Sequence, residues 1–186
     1  MATLMMALIP CVTHASEAWD IAHLMALLAQ NRGGLTTFTE KKYIAVLDEP
    51  LVSSGELLYM PPHHLEKRTL APKPESFVLE GDTVTVQRGK KKHTLALHDY
   101  PQIAVFTESL RGTLAGDHRA LERSYRLSLD GQPAQWALTL VPTDSRLAET
   151  LKHILMQGQQ GQLLSIEIHQ ADGDYSVMTI EVPTAP

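Results

Sequence analysis

The chain has 186 residues, of which 44% are hydrophobic and 20% are charged, a composition typical of one globular domain. Its net charge of −5 and pI near 6.0 give no electrostatic reason to expect nucleic acid or an anionic membrane surface as a partner. The single cysteine, Cys11, excludes an intramolecular disulfide.

Residues 1–15 are predicted to form a signal peptide. Met1–Val12 is almost entirely apolar, and the small-x-small sequence that follows it places the cleavage site after Ala15. The segment is too short to span a bilayer. Because no basic residue precedes Arg32, a buried N-terminal segment is the alternative. With cleavage, residues 16–186 form one exported domain.

An amphipathic helix is predicted next. Apolar residues recur at helical spacing from Ile21 to Leu28, Ser16 can cap the N-terminus, and Gly33-Gly34 can end the helix. Since the apolar arc is wide, this helix requires an apolar surface to pack against.

Most of the remaining chain alternates between apolar and polar residues, as strands do. A second helix interrupts this pattern between Pro101 and Gly116, and Asp117–Arg123 is predicted to add a short polar helical turn. The predicted strands are Thr36–Leu47, Val52–Met60, Leu65–Leu70, Phe77–Leu79, Thr83–Val86 and His93–Leu97 before this helix, and Tyr125–Leu129, Trp136–Leu140, His153–Met156, Leu164–Ile168 and Val177–Val182 after it.

This order of elements predicts an α+β domain, in which two helices cover one face of a large antiparallel sheet. A sheet of this size curls, and a curled sheet covered by helices encloses either a packed core or a cavity. Alternation along the strands does not distinguish between the two.

The sequence contains no recognisable catalytic motif. It has no GxSxG sequence, no phosphate-binding glycine loop, no HExxH sequence and no cysteine pair. His63 and His64, as neighbours on a strand, would point to opposite faces, and Asp172-Gly173-Asp174 is better explained by a hairpin turn than by a calcium loop. We therefore expect no enzymatic activity, no metal and no cofactor.

Charged residues in two places are candidates for an interaction. Arg88–Lys92 forms a basic cluster at a strand–strand turn, which is typical of an exposed tip, although it could also dock an acidic partner. Around the second helix, Glu108, Arg111 and Asp117 are the polar candidates, and the spacing of the first two allows an ion pair.

Several short motifs, in this order and spacing, resemble the LolA family of outer-membrane lipoprotein carriers. Phe38-Thr39-Glu40-Lys41 is similar to the Phe-Thr-Gln-Lys element that opens the family's first strand. The other matching segments are Ser54–Tyr59, Pro61-Pro62, Pro74–Asp82, Ile166–Ile168 and Tyr175–Met178. Glu108–Asp117 is similar to the LolA-like branch found beside aryl-polyene and fatty-acid-type biosynthesis genes.

This resemblance implies a half-open, unclosed β-barrel with an apolar concave face and helices as a lid. It also implies a monomeric periplasmic carrier of acylated cargo, which takes a lipoprotein from an inner-membrane donor complex to an outer-membrane acceptor. Two residues depart from the family pattern, since Pro61 replaces the arginine that holds the lid and Glu40 replaces a glutamine. We expect Arg111 to serve as the lid lock, and a glycolipid or polyene lipid is as good a candidate for the cargo as a lipoprotein.

Apolar residues on strands and helices are the candidates for the cavity lining, with ordinary core packing as the alternative for each. They are Phe38, Leu57, Tyr59, Leu65, Phe77, Leu79, Trp136, Leu138, Ile166 and Met178 from strands, and Leu24, Leu28, Ile103, Phe106 and Leu110 from helices.

Two other functions are compatible with this fold. The first is an outer-membrane assembly or structural protein whose helices fill the barrel, so that it exchanges no cargo. The second is an acyl-transfer enzyme. It would need a nucleophile beside a base, and the nearest approach, His118 beside Asp117, lacks a partnered Ser or Cys.

Overall fold

A computed structural model of the protein describes residues 19–181, in which eleven strands form one antiparallel sheet. The strands are β1 (Gly34–Tyr43), β2 (Leu51–Met60), β3 (His64–Ala71), β4 (Glu75–Glu80), β5 (Thr83–Arg88), β6 (Lys91–Ala96), β7 (Tyr125–Gln132), β8 (Gln135–Pro142), β9 (Leu151–Gln159), β10 (Gln162–Gln170) and β11 (Tyr175–Glu181). The helices are α1 (Ile21–Leu28), α2 (Pro101–Ala115), α3 (His118–Glu122) and α4 (Ser145–Ala148).

The sheet has two arms that meet at one pair of strands. The first arm is the meander β1 to β6, the second arm is the meander β7 to β11, and β1 pairs with β11 so that Phe38 lies opposite Ile180. The outer strands β6 and β7 do not pair with each other, so the sheet is not closed. The predicted α+β class and the half-open sheet, with six strands before the second helix and five after it, are confirmed.

α2 connects the two outer strands and covers the inner face of the sheet. It begins at Pro101, whose fixed backbone suits a first turn, and ends at Gly116, which has a φ of 69°. A Cβ atom at Gly116 would lie 2.2 Å from the carbonyl oxygen of Met25. Glycine therefore serves twice here, because it ends α2 and lets α1 approach closely.

The main hydrophobic core lies between α1 and the second arm. Leu24, Met25 and Leu28 of α1 are at most 2% exposed. They pack with inward side chains of the second arm, including Tyr125, Trp136, Leu138, Leu140, Ile154, Met156, Leu163 and Ile166. A smaller cluster in the first arm joins Leu79, Val84 and Leu97 to Ile103 and Ala104 of α2.

The predicted cap of the first helix is wrong. α1 begins at Ile21, and Asp20 caps it by accepting a 2.8 Å hydrogen bond from the backbone N–H of His23. Ser16 and the predicted signal peptide, residues 1–15, lie outside the described residues. The helical turn predicted after α2 is confirmed as α3.

Most strands extend one to three residues beyond the prediction at one end or both, and β1 instead ends earlier. β1 ends at Tyr43 rather than Leu47, because the chain turns after Tyr43. In this turn the Leu47 backbone N–H donates to the Ile44 carbonyl, and the Ala45 backbone N–H donates to the Asp174 carboxylate. β9 begins at Leu151, two residues before the predicted start. Alternation also did not predict α4, a single turn between β8 and β9 that Asp144 caps.

Within residues 19–181, none of the helices has the length and apolar character that a membrane-spanning helix needs.

Candidate functional site

A cavity of about 560 Å³ lies between α2 and the inner face of the sheet. Strands on both sides of the β1–β11 junction form its floor, and one side of α2 forms its roof. A volume of this size is typical of sites for small molecules and acyl chains. The apolar residues that line it are Leu35, Leu57, Leu58, Tyr59, Leu65, Phe77, Leu79, Phe106, Leu110, Leu114, Leu163, Ile166, Ile168, Met178 and Ile180.

Along β4, the exposure of the cavity lining increases from Leu79 to Glu75. On β4, Leu79 is fully buried, Phe77 is half-buried, and the Glu75 side chain is 34% exposed. Since a strand advances about 3.3 Å per residue, this change takes place over about 13 Å. On this strand the lining is therefore buried and apolar at Leu79, and polar and partly exposed at Glu75.

An ion pair lies at this polar end. The Lys67 ammonium is 2.5 Å from the Glu40 carboxylate, which also accepts a 3.5 Å hydrogen bond from the Ser53 hydroxyl. The same ammonium lies 5.0 Å from the centre of the Phe38 ring, a cation–π distance. The hydroxyl-bearing residues Thr69 and Ser176 line this end as well. An elongated apolar space with polar groups at one end has the shape and polarity of an amphiphile.

α2 has few polar links to the rest of the protein. Its buried Thr107, Ser109 and Thr113 hydroxyls all donate to carbonyls of α2 itself. Among the side-chain hydrogen bonds described, two join α2 to other elements: Arg111 donates to the Gly81 carbonyl at 3.0 Å, and the Tyr125 hydroxyl donates to the Val105 carbonyl at 3.3 Å. Apolar contact is therefore the main force that holds α2 over the cavity.

Nine of the fifteen predicted lining residues are brought together around the cavity. They are Leu57, Tyr59, Leu65, Phe77, Leu79, Phe106, Leu110, Ile166 and Met178.

The other six lie elsewhere in the interior. Leu24, Leu28, Trp136 and Leu138 belong to the core under α1, Ile103 packs in the small cluster of the first arm, and Phe38 is buried beneath Lys67. The buried Trp136 side chain is fixed in the core under α1, since its indole N–H donates to the Gln160 carbonyl at 2.9 Å. A Cβ at Gly158 would lie only 2.3 Å from its ring.

The three polar candidates around α2 have different surroundings. Arg111 lies 3.9 Å from Glu108 on the helix surface and also binds the turn between β4 and β5 through Gly81. Asp117 caps α3 by accepting a hydrogen bond from the Ala120 backbone N–H at 3.0 Å. Asp117 thus has a local structural role, whereas Arg111 links α2 to the sheet.

Several lining residues were missing from the sequence prediction. Ile168 and Ile180 lie two residues after the predicted Ile166 and Met178 on the same face of their strands, so period-two spacing could have identified them. Leu114 continues the apolar stripe of α2 and has the same kind of signal. Apolar–polar alternation did not indicate Glu40, Lys67 and Glu75, because it assigns charged side chains to the solvent-exposed face of a strand.

The aromatic hydroxyls of the interior are uncharged near neutral pH. Burial raises the pKa of Tyr59, which lines the cavity, and burial is also the main cause that raises the pKa of Tyr125 to about 12.

In residues 19–181, no three His, Cys, Asp or Glu side chains converge as metal ligands. Asp172-Gly173-Asp174 forms the turn between β10 and β11, as predicted, with Gly173 at a φ of 97°.

The fold is similar to several solved structures at low sequence identity. A LolA superfamily protein from Nitrosomonas europaea has a TM-score of 0.46 and 13% identity, with 91% of this chain and 96% of that chain covered. MucB from Pseudomonas aeruginosa, solved in complex with MucA, has a TM-score of 0.48 and 15% identity, with 90% of this chain and 59% of that chain covered. LprF from Mycobacterium bovis has a TM-score of 0.37 and 10% identity, with 89% of this chain and 93% of that chain covered.

Comparison with curated protein sequences gives no match. The family model of LolA-like outer membrane lipoprotein carrier proteins, in contrast, matches residues 13–181. This match covers most of the chain, including every strand and both helices that enclose the cavity and the core. The chain therefore belongs to the LolA-like outer membrane lipoprotein carrier family.

Proposed function

We propose that this protein is a periplasmic carrier that holds the acyl chain of a lipoprotein or lipid-like cargo in the cavity beneath α2. The observation that carries this proposal is the apolar space of about 560 Å³, which no side chain of the described residues fills. An acyl chain gains about 0.8 kcal/mol for each methylene removed from water, so such a cavity offers burial comparable to that in a membrane.

The cargo can enter and leave by separation of α2 from the sheet. Because the buried hydroxyls of α2 are satisfied within the helix, its displacement leaves few polar groups without partners. Arg111, through its bond to the Gly81 carbonyl, is the lock in this proposal and replaces the family arginine whose position Pro61 occupies. Cargo that inserts beneath α2 substitutes for the apolar contact between helix and sheet.

The predicted signal peptide supports export to the periplasm, where an aqueous gap separates two membranes. We propose that a donor complex at the inner membrane loads the carrier and that an acceptor at the outer membrane unloads it. Glu40, in place of the family's glutamine, favours a cargo other than the usual lipoproteins, such as a glycolipid or a polyene lipid.

Titration of the delipidated chain with a fluorescent long-chain lipid tests this function. The matched pair of variants is Phe77→Asp, which places a charge in the cavity, and Val78→Asp, which places it on the opposite face of the same strand. We expect saturable one-site binding that Phe77→Asp weakens at least about tenfold and Val78→Asp leaves unchanged.

A second variant guards against misfolding as the cause of lost binding. Leu57→Trp fills the cavity with apolar volume and adds no charge, so it should retain the fold and still reduce binding. Circular dichroism and thermal unfolding verify the fold of each variant. A folded wild-type chain that binds no lipid would refute the carrier function and favour an assembly protein without exchangeable cargo.

A further inference from the structure

We infer that the Glu40–Lys67 pair is a headgroup site that selects an uncharged, hydrogen-bonding headgroup, such as an acylglycerol or a sugar, over a free carboxylate. This inference depends on the proposed function, because it assigns the polar end of the cargo to the polar end of the same cavity.

The Glu40–Lys67 pair lies where the headgroup of a bound amphiphile would be. Glu40 and Lys67 are inward residues of β1 and β3, and their side chains are 18% and 30% exposed at the polar end of the cavity. An acyl chain that fills the apolar end near Leu79 would therefore place its headgroup beside these two side chains. Neither residue participates in the main core under α1.

The pair has hydrogen-bonding capacity left for a ligand. In the described part of the chain, the hydrogen bonds to Glu40 from Lys67 and Ser53 both reach Oε2, so Oε1 is available as an acceptor. An ammonium has three N–H groups, and the bond to Glu40 engages one of them. A hydroxyl or an N–H-bearing amide in the headgroup can thus donate to Glu40 and accept from Lys67 at once, whereas an ester can only accept from Lys67.

The charge balance decides between headgroups. Glu40 is neutralised by Lys67, and Glu75, at the same end, is held by Arg88 through hydrogen bonds of 2.8 and 3.1 Å. Two carboxylates and two cations leave no net charge to attract an ion. A carboxylate headgroup would lose its hydration and meet Glu40 as a like charge, whereas a neutral dipolar group meets neither penalty.

A competition experiment at pH 8 tests the selectivity. A monoacylglycerol and a fatty acid of equal chain length each displace a fluorescent lipid from the delipidated wild type and from the Glu40→Gln and Lys67→Met variants. The control is Glu56→Gln, because Glu56 and Arg68 form a similar ion pair, at 3.1 Å, on the other face of the neighbouring strands β2 and β3.

We expect the wild type to bind the monoacylglycerol about tenfold more tightly than the fatty acid. Glu40→Gln frees the Lys67 charge, so it should strengthen fatty-acid binding about tenfold and abolish the preference. Lys67→Met should weaken the fatty acid further, and Glu56→Gln should behave as wild type.

Equal or tighter binding of the fatty acid by the wild type would overturn the inference, as would a Glu40→Gln variant that changes the affinity for both lipids equally. In either case the carrier function would stand. If the folded wild type binds neither lipid, the carrier function fails and this inference fails with it.

Discussion

The two arms of the sheet have the same alternating strands, but they are covered in different ways. α1 presents Leu24, Met25 and Leu28 to the second arm, and inward side chains such as Leu138 close over them with no exposed surface. α2 presents a mixed face to the first arm, in which Thr107 alternates with Phe106 and Leu110, and a cavity is left beneath it. α1 therefore completes a packed core, whereas α2 covers a cavity.

This difference separates stability from binding in one small domain. The second arm with α1 contains most of the fully buried large side chains, so we expect it to supply most of the hydrophobic free energy of folding. The first arm has a small cluster around Leu79 and can leave volume for a ligand because the other arm holds the fold together. Variants that separate these contributions are the sharpest tests of the comparison.

The largest effect is expected for truncation in the core under α1. Leu138→Ala should lower the free energy of unfolding by about 3 kcal/mol, because it removes a fully buried side chain and leaves a new cavity. Leu57→Ala, the matched change in the first arm, should cost about 1 kcal/mol, since its side chain already borders empty space. Urea unfolding of the lipid-free proteins measures both, and equal losses would contradict the comparison.

A slightly smaller effect is expected for overpacking the same core. Gly158→Ala introduces a Cβ that would lie 2.3 Å from the Trp136 ring and 2.1 Å from the Gln162 carbonyl oxygen. We expect a loss of about 2 kcal/mol. Combining this change with Trp136→Phe should recover part of the loss, and a simple sum of the two single losses would show that ring and methyl do not collide.

Release of the lid lock should change kinetics more than stability. Arg111→Met removes the hydrogen bond to the Gly81 carbonyl and should cost about 1 kcal/mol of stability. Exchange of bound lipid, followed by stopped-flow fluorescence, should become several times faster because α2 separates more often. The exposed Arg126 on β7 supplies the control variant Arg126→Met, and equal exchange rates in both variants would refute the lock.

The smallest effect is expected from pH. On the outer face of the sheet, His153 stacks on His169 with ring centres 4.3 Å apart, and Lys152 and Glu167 are the neighbouring charges. Burial, followed by His169 and Lys152, lowers the pKa of His153 from its ordinary value of 6.5, while Glu167 opposes the shift. As the pH falls, the His153 imidazole is therefore protonated at a higher pH in the unfolded chain than in the folded chain. The free energy of unfolding should decrease as the pH drops below about 6.5.

Urea unfolding at pH 7 and pH 5 measures this effect, which we expect to stay below about 1 kcal/mol. His153→Gln should reduce the difference between the two pH values. If His153→Gln loses more stability than the wild type between pH 7 and pH 5, the prediction is wrong.

The sequence predicted the number of strands and the helix that covers the sheet. It did not predict which arm packs into a core and which arm borders a cavity. Leu57 and Leu138 have the same local signal, since each is an inward residue of an alternating strand. Which of them faces a cavity depends on which helix docks above, and that docking is a long-range event. The inward orientation of Lys67 follows from its spacing to Leu65 and Thr69, but only the fold places Glu40 beside it.

The location of the bound acyl chain tests the central claim most directly. A fatty chain with a nitroxide near its methyl end should broaden the methyl NMR signals of residues within reach of the label. We predict strong broadening for Leu57, Leu65 and Leu79 in the cavity, and much weaker broadening for Met25 and Ile154 under α1. Broadening centred on Met25 and Ile154, or spread evenly over the surface, would contradict the account.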